Sequence, residues 1–108
     1  MLTGDELEHL IRHGEIDTVL MVFPDLQGRL VGKRTTGRFF LQSAADAGTE
    51  NCDYLIACDM DNNPVSGYRF TSYEQGYGDM LAKADWNTVR RIPWVEKTAM
   101  IMCDLLDV

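Results

Sequence analysis

Gly76-Tyr77-Gly78-Asp79-Met80 opens the stretch that decides the fold. It runs through Asp85-Trp86-Asn87-Thr88 and Arg90-Arg91-Ile92-Pro93-Trp94 to Ala99-Met100-Ile101-Met102-Cys103-Asp104. Two glycines mark a tight turn, and Asp79 to Lys83 follows as a strand. Asp85 to Thr88 has the polar composition of a second turn. Thr98 to Leu105 reads as a last, nearly all-apolar strand.

Working outward, Asp59 to Gly78 is a long polar segment containing Pro64, Gly67, Gly76 and Gly78 and little periodicity. Loops of this length in compact domains are usually functional or disordered. Before it, Tyr54-Leu55-Ile56-Ala57-Cys58 reads as a third strand. A helix fits Arg38 to Ala47, with Phe40, Ala44 and Ala47 on one face and Gly48 as its stop. Asp17 to Phe23 reads as a strand buried on both faces, because Val19-Leu20-Met21-Val22 is continuously apolar. Pro24-Asp25-Leu26-Gln27-Gly28 supplies a turn, and Arg29 to Thr36 returns as the second arm of a hairpin. At the start, Thr3-x-x-Glu6 is a capping box; Leu7, Leu10 and Ile11 repeat at helical spacing, and Gly14 ends the helix. Hairpin, helix, strand, long loop and strand are the order of a β-grasp, or ubiquitin-like roll. This is an α+β fold in which one helix crosses a mixed sheet, here with an extra N-terminal helix.

The 108 residues make one domain, with 45% apolar and 25% charged residues. That is enough to bury one core without metal or disulfide support. The formal net charge of −7 argues against nucleic acid or an anionic membrane as partner, since either needs a basic face. Cys52, Cys58 and Cys103 form no Cys-x-x-Cys pair. They read as reduced thiols in a cytoplasmic protein, Cys58 and Cys103 as core residues. Met1 to Asp5 has no signal-peptide character, and no apolar run approaches the roughly 20 residues of a membrane span.

Four groups of residues invite a chemical reading. His9 and His13, at i and i+4, are able to share a zinc ion, but Leu10 stands where a metalloprotease has its glutamate and no third ligand is near. The plainer reading is two exposed histidines without a role. Gly28-Arg29-Leu30-Val31-Gly32-Lys33-Arg34 is basic and glycine-rich, yet it lacks the spacing of a phosphate loop and opens no helix. Lys33 and Arg34 then sit on a solvated or inter-subunit face. Asp59-Met60-Asp61-Asn62-Asn63-Pro64 begins like a calcium loop, but proline takes the sixth position and Phe70 the twelfth. Carboxylates on a loop also bind a cation or take a proton from an amine, and the alternative is that they merely cap turns. Arg90, Arg91 and Trp94 resemble a stacking platform for nucleic acid. The net charge favours packing of Trp94 against the sheet or a partner.

The order from Gly76 to Asp104, and the Gly32-Lys33-Arg34 segment, resemble the N-terminal domain of the glutamine synthetase family. The resemblance covers nearly the whole chain and is most specific from Asp59 to Asp104. It implies that residues 1–108 are a β-grasp domain preceding a catalytic domain that lies outside this chain. It also implies ATP-dependent phosphorylation of glutamate followed by attack of an amine, with Mg2+ or Mn2+ neutralising the phosphates. ATP and metal would be held by the full-length enzyme, with none in residues 1–108. Subunits of the family form rings, commonly dodecamers, in which this domain supplies a loop to its neighbour's active site. In ammonia-using members that loop carries an aspartate followed by Gly-Ser-Ser, and a tryptophan. Here Asp59 matches the aspartate, with Asp61 as second candidate, for amine binding and deprotonation. Tyr68, Phe70 and Tyr73 are the candidates for the substrate-binding aromatic. Gly-Ser-Ser and the tryptophan are missing. Pro64-Val65-Ser66-Gly67-Tyr68 and Glu74-Gln75-Gly76-Tyr77-Gly78-Asp79 are more similar to glutamine synthetase-like enzymes that act on alkylamines or polyamines. A reading from another class is a ubiquitin-like interaction module that works through an exposed apolar sheet face and has no catalytic role. Phe39, Phe40, Trp94 and the basic arm are expected at subunit interfaces.

Overall fold

The computed structural model describes residues 1–52, 55–56 and 78–107, with Asp107 described by its backbone alone. Helix α1 spans Gly4–Arg12, and strands β1 (Thr18–Pro24) and β2 (Leu30–Thr36) form a hairpin. Three consecutive helical pieces, Gly37–Phe39, Phe40–Ala44 and Ala45–Ala47, make one crossing helix, α2. Four more strands follow: β3 (Thr49–Cys52), β4 (Asp79–Ala84), β5 (Arg90–Arg91) and β6 (Thr98–Asp107). A 3₁₀ turn at Trp86–Thr88 joins β4 to β5.

The sheet order is β2-β1-β6-β4-β3, with β5 also paired to β6. Strands β1 and β6 are parallel, with Thr18 opposite Thr98 and Val22 opposite Met102. All other described pairings are antiparallel. This is the mixed sheet and crossing helix of a β-grasp. Strand β6 organises it. One edge takes β1, while the other takes β5 over Ala99–Met100 and β4 over Cys103–Asp107.

The local chemistry accounts for the elements. The Thr3 hydroxyl accepts from the Glu6 N–H, and the Glu6 carboxylate accepts from the Thr3 N–H, so both ends of the capping box are made. Thr36 caps α2 by accepting from the Phe39 N–H. Gly48, at φ +78°, ends that helix in a conformation that suits glycine. In the middle of α2, Phe40–Ala44 adopts π geometry, which the sequence pattern does not signal.

Period-two alternation sorts the strands into two faces. On one lie Val19, Met21 and Phe23 of β1, Ala99, Ile101 and Cys103 of β6, and Met80 and Ala82 of β4, all buried. Leu7 of α1 and Phe40 and Ala44 of α2 cover them. Phe40 is fully buried and meets Trp86 edge-on, with ring centroids 5.6 Å apart. Burying a side chain of that size contributes roughly 1.5–3 kcal/mol. Phe40 is therefore a core residue and is not available to an interface, whereas its neighbour Phe39 is 48% exposed.

The third strand differs from the sequence expectation. Leu55 and Ile56 lie in a 3₁₀ turn, and β3 is Thr49–Cys52. Its core-facing residues, Thr49 and Asn51, are polar but buried. Asn51 Nδ2 donates to the Thr49 carbonyl at 3.2 Å, which removes the cost of burying the amide.

Candidate functional site

The candidate residues Asp59, Asp61, Tyr68, Phe70 and Tyr73 lie outside the described residues. The structure does place the stem that carries them. Cys52, ending β3, is opposite Asp79, which opens β4. Met80 is in turn opposite Asp107 at the end of β6. The segment between β3 and β4 thus leaves and rejoins the sheet at neighbouring backbone positions, at the end where β1 and β6 finish. Glu50 and Asp79 are exposed there, and register puts both on the sheet face away from the helices. Asp104 shares that face opposite Lys83. The described part of the stem is therefore rich in exposed carboxylates, which favours approach of a cation.

The same face carries half-buried Leu20, Leu81, Met100 and Met102, with Leu106 47% exposed. It is an apolar strip edged by charge.

The remaining sequence candidates are placed as follows. Lys33 and Arg34 are exposed on the edge strand β2. Arg91 Nη2 donates to the Glu15 carbonyl at 3.1 Å and ties β5 to the loop before β1. Arg90 reaches Met1 Sδ. The two arginines are thus engaged locally and form no stacking platform with Trp94. That residue is 72% exposed and does not pack on its own sheet. His9 and His13 are both exposed, with ring centroids 4.0 Å apart.

One charged group escaped the sequence reading. Asp25 is buried in the hairpin turn, its side chain only 2% exposed. Its Oδ1 accepts from the Gln27 and Arg29 N–H groups, and its Oδ2 from Arg29 Nε at 2.8 Å. Burial pushes its pKa up, but the Arg29 backbone and guanidinium and the Gln27 N–H outweigh that and hold it below the ordinary 3.8. The Pro24-Asp25-x-x-Gly28 pattern was the available signal, since aspartate bonds backbone two residues on in such turns. Its role is structural. Burial of Cys103, helped by the adjacent Asp104 charge, raises its thiol to about 11, so it stays protonated. Cys52 and Cys103 are both free thiols.

Among the described residues, every buried side-chain N or O atom has a hydrogen-bond partner. No group of three or more His, Cys, Asp or Glu side chains gathers to hold a metal ion. No helix there is long and apolar enough to cross a membrane. A groove of about 860 Å³ lies between the end of α1 and the start of α2, floored by Ile11, Ile16 and Leu41 and edged by Arg12, Asp17 and Arg38.

No protein-family model matches the chain. It is 52% identical over 101 residues to a gamma-glutamylethanolamide synthetase of Streptomyces coelicolor, covering 94% of this chain and 22% of that protein. It is 33% identical over 100 residues to a glutamate–isopropylamine ligase of a Pseudomonas species, covering 93% and 22%. With a type-1 glutamine synthetase of Dictyostelium discoideum the identity is 29% over 82 residues, covering 76% and 16%. The fold is similar to that of solved structures of GmaS, without ligand and as an ADP complex. Each gives a TM-score of 0.64 at 22% identity and covers 93% of this chain and 20% of that one.

The sheet order and the crossing helix define a β-grasp domain. The chain belongs to the glutamine synthetase family, as its N-terminal domain, and is more similar to the gamma-glutamylethanolamide synthetase and the glutamate–isopropylamine ligase than to the type-1 glutamine synthetase. It spans about a fifth of the length of the curated relatives it matches.

Proposed function

We propose that residues 1–108 are the N-terminal domain of an ATP-dependent glutamate–amine ligase, and that the segment between β3 and β4 serves the active site of a neighbouring subunit. The observation that carries this reading is the 52% identity over 101 residues to a gamma-glutamylethanolamide synthetase. The identity to the isopropylamine ligase, higher than that to the type-1 synthetase, supports an amine rather than ammonia as the nucleophile.

In this reading Asp59 or Asp61 binds the substrate as R–NH3+ and accepts one of its protons. The lone pair so freed attacks the γ-carbonyl of glutamyl phosphate; the C–O bond to phosphate breaks, and the departing phosphate takes the second N–H proton, leaving the amide. A carboxylate suits the task because it stabilises the cation first and is the proton acceptor second. Tyr68, Phe70 or Tyr73 covers the alkyl part of the amine. ATP and Mg2+ or Mn2+ belong to the remainder of the full-length enzyme, where they activate glutamate and neutralise phosphate charge. The exposed acids at the stem draw a cationic amine in; the apolar strip of Leu20, Met100 and Met102 serves contact within a homo-oligomer, by family analogy a dodecamer in the cytoplasm. That strip is also what an interaction module would use, and an interaction module would leave catalysis untouched when the loop is altered.

The test is steady-state kinetics of the full-length enzyme with ethanolamine, isopropylamine and ammonia, for the native form and for Asp59→Asn and Asp61→Asn. At least one variant is expected to lose tenfold or more in kcat/KM for the amine, about 1.4 kcal/mol of transition-state stabilisation. Unchanged constants for both variants would refute the loop role. A preference for ammonia would refute the assignment of substrate.

A further inference from the structure

We propose that His9 and His13 form a two-nitrogen site for a transition-metal ion, matched to Cu2+ or Ni2+ already carrying other ligands. The two residues stand one turn apart at the C-terminal end of α1, both exposed. Their rings lie 4.0 Å apart, centroid to centroid, with planes tilted by 32°. His13 Nδ1 is 2.8 Å from the His9 carbonyl oxygen. A carbonyl only accepts, so Nδ1 carries the proton and Nε2 keeps the lone pair. A backbone bond that fixes the tautomer in this way is the usual support of a metal-binding histidine. The ring nitrogens of His9 make no hydrogen bond among the described residues.

Two imidazole nitrogens, each about 2.0–2.1 Å from one ion, stand about 3 Å apart when they occupy adjacent positions. The rings are 4.0 Å apart and tilted, and rotation about the side-chain bonds of His9, in the last turn of α1, and of His13, its C-cap, brings one nitrogen of each to a shared ion. No third metal-capable side chain joins them among the described residues, so the site cannot enclose an ion as structural zinc is enclosed. It takes a metal with two open positions, and the order of divalent affinities puts Cu2+ first and Ni2+ next. The negative end of the helix dipole favours the charge. The pair lies at the end of the sheet where β1 begins, opposite the stem between β3 and β4.

The test titrates the 108-residue chain with Cu2+ presented as its iminodiacetate complex, which leaves two positions free, and reads electron paramagnetic resonance and thermal unfolding. One equivalent is expected to bind with the signature of two nitrogen ligands from the protein, and Tm to rise with probe concentration. His9→Asn and His13→Asn, with helix content checked by circular dichroism, should each weaken binding at least about tenfold. Binding retained by both variants would assign the ion to Cys52 or the amino terminus and overturn the proposal. A single protein nitrogen, or no binding at millimolar probe, would overturn it as well.

Discussion

The hydroxyl of Thr88 accepts a hydrogen bond from the backbone N–H of Met102 at 2.9 Å. The Met102 carbonyl accepts from the Asp85 N–H, also at 2.9 Å. Strand β6 passes at this point from its pairing with β5 to its pairing with β4. A polar turn, rather than a strand, thus satisfies both backbone groups of the residue between. The Thr88 hydroxyl in turn donates to the Asp85 carbonyl at 2.7 Å, which holds the 3₁₀ turn in place for the task.

Thr88→Val keeps the shape and leaves the Met102 N–H unpaired. We expect a loss of about 1–3 kcal/mol, read from urea unfolding, with Thr88→Ser recovering most of it. A valine variant as stable as the native chain would show that water replaces the hydroxyl.

Asp25 sets a pH dependence. Its folded-state pKa lies below that of the unfolded chain, so its contribution is fully present above about pH 4 and is lost as pH falls through the folded value. Asp25→Asn should lower stability at pH 7 and flatten the acid limb of the stability curve. Parallel acid limbs in the two proteins would contradict the depressed pKa.

Gly32 sits at φ +150°, and a Cβ there would come 2.0 Å from the Met21 carbonyl oxygen. Because that neighbour is backbone of β1, which is paired on both sides, it has nowhere to yield. Gly32→Ala is expected to cost more than about 3 kcal/mol, seen as a fall in Tm or failure to fold. A mild effect would mean the hairpin relaxes around the new methyl.

The adjacent phenylalanines of α2 should behave oppositely. Phe40→Ala empties a core site that also touches Trp86 and should cost about 3–5 kcal/mol. Phe39→Ala removes a side chain 48% exposed and should change the stability of the chain by no more than about 0.5 kcal/mol. Equal losses would place Phe39 in a core contact.

Most of the architecture was legible because its signals are short-range. The capping box at Thr3 and Glu6, the turn at Pro24 to Gly28 and the stop at Gly48 each act within a few residues, and each is where it was read. Strands β1 and β6 were legible as apolar runs, but their two faces were not told apart: Val19, Met21, Ala99 and Ile101 are buried, whereas Leu20, Met100 and Met102, equally apolar, are only half-buried. Strand β3 was not legible, because its inward residues, Thr49 and Asn51, are polar and satisfied by each other; the apolar run at Tyr54 to Cys58 drew the strand reading instead. Phe39 and Phe40 look alike in sequence, and only the phase of α2 separates them. The loop acids Asp59 and Asp61 fall outside the described residues, so the structure contributes their stem alone.

Strand β6 has a kinetic consequence. Its partner β1 is eighty residues earlier, Thr18 against Thr98, and the core faces of both are needed to close the sheet. During synthesis the hairpin and α2 emerge long before the strand that joins them to β4. Until the chain has been made through Met102, the apolar edge of β1 has no mate, and contacts so distant in sequence are slow to form. The interval in which that edge is open is the time the nascent chain is most prone to wrong pairing. A nascent-chain series that lengthens past residue 102 should show protease resistance appearing in one late step rather than gradually.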